Sequence, residues 1–151
     1  IYYIYQGGFC VNKFCLENIY SKIGKDGSVY IPKSLSIGKS EILLLKRDND
    51  LTFSLYDLNK YKKILEILRL RLVKEMQIEE ANRIVLCNNF IDYFSEGIFH
   101  EIKVDDNNII LPEDIIAMYN LDDRLIFNNS KNHVKVFKND EKLYQYMNGK
   151  N

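Results

Sequence analysis

The sequence predicts an α+β fold built from two similar halves, with two helical segments between them. Three observations support this prediction: an internal repeat, a pair of helical segments between its copies, and a globular composition. Of the 151 residues, 46% are apolar and 28% are charged, a balance typical of folded proteins rather than disordered ones. This length fits one domain, or two small halves that share a core.

The repeat is clearest around the two prolines. The first copy reads DGSVYIPKSL over residues 26–35, and the second reads DNNIILPEDI over residues 106–115. In both, turn residues precede three strand-forming residues and a proline. Pro32 and Pro112 suit the start of a short helix, because the fixed φ of proline fits the first helical turn and its missing N–H is not needed there. Each copy is therefore expected to contain a strand, a short helix and a hairpin.

A hairpin is predicted at a similar distance after each proline. Residues 42–45 precede a polar turn at 48–50 and an alternating segment at 51–56, whereas residues 125–127 precede a turn at 128–130 and an alternating segment at 133–137. Alternation on the two sides of a polar turn is typical of a β-hairpin. A charged helix start follows each hairpin, at Asp57 and Asp140. The unit is thus about 40 residues long and is used twice.

Residues 58–97 are expected to form two linking helices. Each carries apolar residues at helical spacing, which predicts a face packed against a core. These residues are Tyr61, Leu65, Leu68, Leu72 and Met76 in the first helix, and Ile84, Cys87, Ile91 and Phe94 in the second. Residues 98–104 then alternate and are expected to form a strand. We divide the chain into an arm (1–13) and one domain (14–151), with repeat one at 14–57 and repeat two at 98–146.

Charge and hydropathy exclude several classes of protein. The 21 basic and 21 acidic residues balance, so the chain is not a polycation that coats nucleic acid. Residues 1–56 carry a net charge of +2 and residues 99–151 one of −2, which places any polyanion site in the first half. No apolar run approaches the roughly 20 residues that span a bilayer, and residues 1–8 lack the features of a signal peptide. We therefore expect no membrane partner and a cytoplasmic location.

No cofactor, metal or catalytic motif is evident. The odd number of cysteines (Cys10, Cys15 and Cys87) favours a reducing compartment, and a structural zinc site would need four ligands at recognisable spacing. There is no phosphate-binding loop, nucleophile elbow or Ser–His–carboxylate order. We therefore expect a protein that is not an enzyme and has no small-molecule substrate, although the sequence leaves a Cys87–His100 pair open.

The repeat, the prolines and the linking helices together resemble the MraZ family, within the AbrB-like swapped-hairpin superfamily. Residues 46–47 (KR) take the place of a T-R pair in that family, residues 48–50 cover its turn, and residues 55–57 (LYD) match its L-Y-P strand end. Residues 58–72 and 81–85 resemble its two linking helices. The resemblance covers roughly residues 14–144 and implies two βαββ repeats that form a pseudo-twofold small β-barrel.

One half-unit alone would bury too little apolar surface to be stable. Two halves related by a pseudo-twofold axis would share one core and leave strand edges exposed, which further subunits could cap. We therefore expect a homo-oligomer.

The chain departs from this family at the D-x-x-x-R motif before each proline. The acid and arginine positions hold Gly24 and Ser28 in the first copy, and Val104 and Asn108 in the second. In the family, these residues are what the DNA-binding loop is built around. One alternative is that Lys25 and Asp26 take over these roles, one or two positions further along.

Two functions compete on this basis. The resemblance implies a DNA-binding transcriptional regulator, nucleoid-associated, that binds promoter repeats as an oligomer through the loops before Pro32 and Pro112. Lysines would neutralise phosphates, Ser28 would donate to a phosphate, and asparagines would contact adenine edges. The candidate DNA-binding residues are Lys22, Lys25, Ser28, Lys33, Asn107 and Asn108. The simpler interpretation is a solvated surface for the lysines and a plain turn for the asparagines.

The alternative is a protein-interaction or scaffold module that kept the fold and lost DNA binding. The zero net charge, the acidic second half and the missing arginines favour it. The aromatic residues of the arm would then be a docking segment, because aromatic side chains anchor interfaces. These residues are Tyr2, Tyr3, Tyr5 and Phe9.

Overall fold

The computed structural model describes residues 18–75, 85, 88–89, 92 and 98–149. The strands of this part are β1 (Asn18–Lys22), β2 (Ser28–Tyr30), β3 (Ile42–Arg47), β4 (Thr52–Asp57), β5 (Ile98–Lys103), β6 (Asn108–Ile110), β7 (Arg124–Asn129) and β8 (His133–Phe137). The helices are α1 (Leu58–Glu75), α2 (Glu113–Met118) and α3 (Asp140–Gly149). These elements confirm the predicted α+β class. None of the helices in the described residues is both long and apolar enough to cross a membrane.

The strands form two antiparallel sheets. Six of them lie side by side in the order β1–β7–β8–β4–β3–β5, and β2 pairs with β6 in a separate two-stranded sheet. We call this smaller sheet the ribbon; in it Ser28 lies opposite Ile110, and Tyr30 opposite Asn108. Among the described strands the large sheet does not close, because β1 and β5 lie at its opposite edges. The expected barrel is therefore not formed by these residues.

The main core contains the inward side of the ribbon and one face of the large sheet. Val29 and Ile109 of the ribbon are each only 1% exposed. They belong to the same apolar cluster as alternate residues of the four central strands, as the period-two geometry of a strand requires. These residues are Leu43, Leu45, Phe53, Leu55, Leu125, Phe127, Val134 and Val136. Each fully buried side chain of this kind contributes about 1.5–3 kcal/mol.

Helices cover parts of the opposite face of the large sheet. Leu143 of α3 packs on Ile126 and Phe137, and Tyr61 of α1 lies with its ring 5.0 Å from that of Tyr56. Asp57 caps α1 by accepting from the Lys60 N–H at 3.0 Å. Asn139 caps α3 in the same way by accepting from the Lys142 N–H, also at 3.0 Å. Such caps satisfy N–H groups that a helix start leaves open, and the predicted helix after each hairpin is confirmed.

The predicted short helix is present after Pro112 but not after Pro32. Residues 33–39 form successive turns, with the Leu35 N–H bonded to the Pro32 carbonyl at 3.2 Å and the Gly38 N–H to the Leu35 carbonyl at 2.8 Å. Serine and glycine favour turns over helix, because serine competes for backbone hydrogen bonds and glycine loses more entropy. Ser36 is also held by the second hairpin, since its N–H donates to the Asn129 side chain at 2.9 Å. The helix prediction for the first copy was therefore wrong.

The turn of the second hairpin lies two residues later than predicted. Strand β7 continues through Asn129, and the chain reverses at 130–132, where the Ser130 N–H donates to the His133 carbonyl at 2.9 Å. Asn128 is buried, and its side-chain amide donates to Oδ1 of Asn18 at 2.6 Å. The sequence around Asn128 does not indicate this contact, because its partner Asn18 is on the distant strand β1. The arm at 1–13, Cys10, Cys15, Cys87 and most of the second linking helix lie outside the described residues.

Candidate nucleic-acid interface

Two loops flank the ribbon, residues 24–27 (loop one) and residues 105–107 (loop two). Both contain left-handed backbone: φ is +86° at Gly27, 51° at Asp106 and 62° at Asn107. Glycine and asparagine tolerate this region better than other residues. At Gly27 there is a second reason, since an added Cβ would lie 3.0 Å from the Leu111 carbonyl oxygen. Left-handed turns therefore set the two ends of the ribbon.

Each loop is bonded to the strand end of the opposite half. The Ile31 N–H donates to the Asn107 carbonyl at 2.6 Å, and the Leu111 N–H donates to the Gly27 carbonyl at 2.9 Å. The segment leading into Pro32 is thus held by loop two, and the segment leading into Pro112 is held by loop one. This exchange brings the two predicted DNA-contacting loops onto one ribbon.

Loop one is closed mainly by its own backbone. The Gly24 N–H donates to the Ser28 carbonyl at 2.8 Å, and the Gly27 N–H donates to the Gly24 carbonyl at 3.0 Å. Oδ1 of Asp26 accepts from the Ser28 N–H at 3.1 Å. A hydrogen bond from the Ser28 side chain, and then this backbone bond, hold the pKa of the Asp26 carboxyl below its usual value. Ser28 is therefore a partner of Asp26, a role that the sequence analysis missed.

The asparagines of loop two also bond within the protein. Nδ2 of Asn107 donates to the carbonyls of Ile31 and Gly38, at 3.2 Å each. Nδ2 of Asn108 donates to the Asp106 carbonyl at 2.9 Å. The position of Asn107 does not support its predicted contact with a base, because its amide donors hold the other half of the chain. Asn is common in turns because it tolerates a left-handed φ, and Asn107 has this structural role here.

The outward face of the ribbon is part apolar and part polar. Tyr30 is 50% exposed and Ile110 is 54% exposed, and both lie on the face opposite the core. Ser28 and Asn108 share that face, since side chains alternate along a strand. The ribbon therefore presents two large apolar side chains beside two hydrogen-bonding ones. The sequence analysis had assigned Tyr30 and Ile110 no role.

The charges around the ribbon are mixed. Lys22, Lys25 and Lys33 are exposed, and within the described residues none of them forms an ion pair. Loop two, however, exposes Asp105 and Asp106. Lys33 follows the segment that docks on loop two, so basic and acidic groups share that end of the ribbon. The predicted lysines are accessible to phosphates, but they do not form a purely basic surface.

A carboxylate and a histidine meet close to the ribbon. Nε2 of His100 on β5 lies 3.0 Å from Oδ2 of Asp114 in the first turn of α2. The hydrogen bond from His100 lowers the pKa of the Asp114 carboxyl. The side chains of His100 and Asp114 are 33% and 56% exposed, and exposed pairs of this kind contribute little to stability. Cys87, the other member of the catalytic pair left open by the sequence, lies outside the described residues.

A second polar cluster lies on the opposite face of the large sheet. Nζ of Lys135 is 3.0 Å from Oδ2 of Asp48 and 3.3 Å from Oγ of Ser54, and the Ser54 hydroxyl donates to Asp48. Lys135 also lies over the Tyr146 ring, 5.5 Å from its centroid. Its donors are thus directed at partners within the protein, as expected of a structural ion cluster. No local sequence pattern indicates this cluster, because Lys135 and Asp48 are 87 positions apart.

Aromatic residues extend this cluster. The rings of Tyr56 and His133 stack with centroids 5.1 Å apart. Burial raises the pKa of Tyr56 to about 12. Burial, followed by the charge of Lys135, lowers the pKa of His133. Neutral forms of both side chains are therefore favoured at neutral pH.

Comparison with known proteins and the search for metal ligands add no further assignment. No protein-family model matches the chain, and no curated protein matches it. Among the described residues, no three His, Cys, Asp or Glu side chains are grouped so that they could hold a metal ion. The candidate interface is therefore described by its own geometry.

Proposed function

We propose that the chain consists of two tandem swapped-hairpin βαββ repeats resembling MraZ, and that it is an oligomeric, non-enzymatic, DNA-binding transcriptional regulator. The observation that carries this proposal is the ribbon, in which loops from both halves are joined by reciprocal hydrogen bonds. Two further features support the proposal: the symmetry of the strand pairing and the chemistry of the outward ribbon face.

The strand order supports the repeat. If each first-half strand is exchanged for its second-half counterpart (β1 with β5, β3 with β7, β4 with β8), the result is the same strand order read from the other edge of the large sheet. The first strand of each half pairs with the hairpin of the other: β1 with β7, and β5 with β3. A swapped arrangement of two equivalent units has this pattern.

Hydrogen bonds beyond the strands follow the same exchange. The Ile23 N–H donates to the Asp123 carbonyl at 2.8 Å, and the Val104 N–H donates to the Glu41 carbonyl at 2.9 Å. The segments after the prolines also reach the opposite hairpin. The Tyr119 hydroxyl donates to carbonyls in the β3–β4 hairpin, at 2.9 and 3.1 Å. Each half thus supplies contacts that complete the other.

In the proposed contact, the outward face of the ribbon enters the major groove of DNA. The major groove admits a two-stranded β-ribbon, and the thymine methyl group is its apolar feature. Tyr30 and Ile110 offer apolar contacts, Ser28 and Asn108 offer polar ones, and the exposed lysines at 22, 25 and 33 offer phosphate contacts. Several such weak sites on one oligomer would act together through effective concentration.

A protein-interaction module is the second candidate, and one observation favours it. Asp105 and Asp106 are exposed at loop two, where phosphates would be repelled. An apolar centre with a mixed polar rim is also the usual composition of a protein interface. In that case the ribbon would bind a protein, and DNA would have no measurable affinity.

Salt-dependent DNA binding distinguishes the two candidates. We would measure fluorescence anisotropy with a labelled duplex from the region upstream of the gene and with a scrambled duplex. Each phosphate neutralised adds about −0.9 to the slope of log K against log[salt], so three lysine contacts predict about a 40-fold loss of affinity between 50 and 200 mM salt. No binding at the lowest salt would exclude the regulator.

Single lysine variants locate the binding surface. Lys25→Ala should reduce the magnitude of the slope by about 0.9, as should Lys22→Ala and Lys33→Ala. Lys131→Ala is the matched control, since Lys131 is also exposed but lies in the β7–β8 turn. Equal slopes for the Lys25 and Lys131 variants would show that loop one does not contact phosphates.

A further inference from the structure

Most strand pairs of this molecule join its two halves, which we define as residues 18–57 (first half) and 98–149 (second half). Among the described strands, β1 pairs with β7, β5 with β3, β2 with β6, and β4 with β8. Of the strand pairs in the described residues, β3–β4 and β7–β8 are the two that lie within one half. A half on its own would therefore lose every sheet partner except that of its hairpin.

The segment between the halves is long, and its described helix is most buried near its start. It comprises residues 58–97, and α1 occupies Leu58–Glu75. Tyr61 is 3% exposed, but Ile67 and Leu70 further along the helix are 54% and 57% exposed. At 1.5 Å per residue, the 18 residues of α1 extend about 27 Å. The helix is thus long enough to lead from one folded body to another.

We infer that a second copy of this chain can take the place of either half, which produces a dimer by exchange of halves. The first half of one copy would pair with the second half of the other, and every strand pair described above would be retained. Each ribbon would then contain β2 from one copy and β6 from its partner. The partner copy therefore supplies half of each candidate interface, in the way that domain swapping exchanges identical elements.

Concentration decides between the single chain and the exchanged dimer. Pairing within one chain has an effective concentration of the order of 1 mM for a flexible connection. A chain folded at micromolar concentration is therefore expected to be mainly self-paired, and the exchanged dimer should increase when refolding takes place near that concentration. This inference rests on the strand pairing and on the length of the connecting helix, and it does not depend on DNA binding.

A cross-link across the ribbon tests the exchange directly. Tyr30 and Asn108 lie opposite each other, beside the hydrogen-bonded Ile31–Asn107 position. Non-hydrogen-bonded antiparallel pairs have Cα atoms about 4.5 Å apart, within the range of a disulfide. We would make one variant with Tyr30→Cys and another with Asn108→Cys, each with serine at positions 10, 15 and 87, so that only exchange places the two cysteines together.

The two variants would be unfolded, mixed, refolded at about 0.5 mM, a concentration close to the effective one, and oxidised. We expect a covalent heterodimer on a non-reducing denaturing gel, well above the dimer formed by either variant alone or by variants mixed after folding. A yield no higher than in those controls, with circular dichroism showing both variants folded, would overturn the inference.

Light scattering on the unmodified chain provides an independent measurement. Chains refolded at about 10 μM and at about 0.5 mM would both be measured after dilution to about 10 μM, where reversible assembly of unexchanged copies is the same in both. We expect the fraction of exchanged dimer to be several-fold larger in the sample refolded at about 0.5 mM. If either cysteine variant fails to fold, this measurement decides. A chain that remains monomeric at both concentrations would contradict the exchange of halves.

Discussion

Replacing Asn107 by alanine should lower the free energy of unfolding by about 3 kcal/mol. The side-chain amide donates to the carbonyls of Ile31 and Gly38, and two such bonds contribute about 2 kcal/mol in total. The backbone at Asn107 has a φ of 62°, where alanine is less favourable than asparagine by about 1 kcal/mol. The two contributions act on the same residue and can be separated by a second substitution.

Asn107→Gly removes the hydrogen bonds but accepts the left-handed backbone, so it should cost about 2 kcal/mol. Asn120→Ala isolates the backbone contribution: φ is 50° at Asn120, and its exposed side chain makes no hydrogen bond to the described residues. It should therefore cost only about 1 kcal/mol. Gly27 lies in the loop at the other end of the ribbon and has a φ of +86°. A ribbon loop therefore tolerates glycine.

Urea denaturation of the three variants at one temperature measures these differences. The predicted order of destabilisation is Asn107→Ala, then Asn107→Gly, then Asn120→Ala. If Asn107→Ala costs no more than Asn120→Ala, the two amide hydrogen bonds contribute nothing and the structural role assigned to Asn107 is refuted. In DNA titrations corrected for the folded fraction, Asn107→Ala should bind as the unmodified chain does, whereas a base-reading residue would not.

Three further predictions concern the opposite face of the sheet and the first post-proline turn, with Asp50→Ala as the control for Asp48→Ala. The free energy of unfolding should fall as the pH is lowered through about 6.5, the unfolded histidine value. Burial, followed by the charge of Lys135, lowers the pKa of His133 in the folded chain, so the unfolded chain takes up the proton first. The His133→Gln variant should lack this part of the pH dependence when its free energy of unfolding is measured by denaturant titration. Asp48→Ala should cost about 2–3 kcal/mol in urea unfolding, because it leaves the largely buried Lys135 without its carboxylate. Asp50→Ala should cost less than about 0.5 kcal/mol, because its side chain is 89% exposed. Gly38→Ala should cost about 1–3 kcal/mol and lower the melting temperature, because an added Cβ would lie 2.6 Å from backbone atoms of Lys33. An unchanged melting temperature would refute this clash.

Local patterns were sufficient to predict both hairpins, apart from the two-residue shift of the second turn, and the helices that follow them. In β4 the alternation of Phe53 and Leu55 with polar neighbours places one set of side chains in the core, and the polar residues at 48–50 end the preceding strand. Asp57 stands where a helix cap is needed. All of these signals act over a few residues, which is why one sequence can reveal them.

Contacts between distant residues could not be predicted in the same way. Asn107 bonds to a carbonyl 76 positions away, and Lys135 bonds to a carboxylate 87 positions away. Either residue alone suggests a surface group, because Asn is common in turns and Lys is common on exposed strands. Their roles depend on which strands become neighbours, and the pairing across the two halves decides that.

The reciprocal loop bonds hold the ribbon without an acid or an arginine at the corresponding positions before the prolines, which are Gly24, Ser28, Val104 and Asn108. The Ile31–Asn107 and Leu111–Gly27 bonds use only backbone groups, and so does the Gly24–Ser28 closure of loop one. Side chains support these bonds in two ways: Gly27 and Asn107 permit the left-handed backbone, and the Asn107 amide and the Asp26 carboxylate add hydrogen bonds of their own. The backbone bonds hold the ribbon whether or not it binds DNA, so the fold and the proposed function depend on different groups. Affinity for DNA would depend on the outward side chains alone, and the salt dependence of the Lys25→Ala variant measures that contribution.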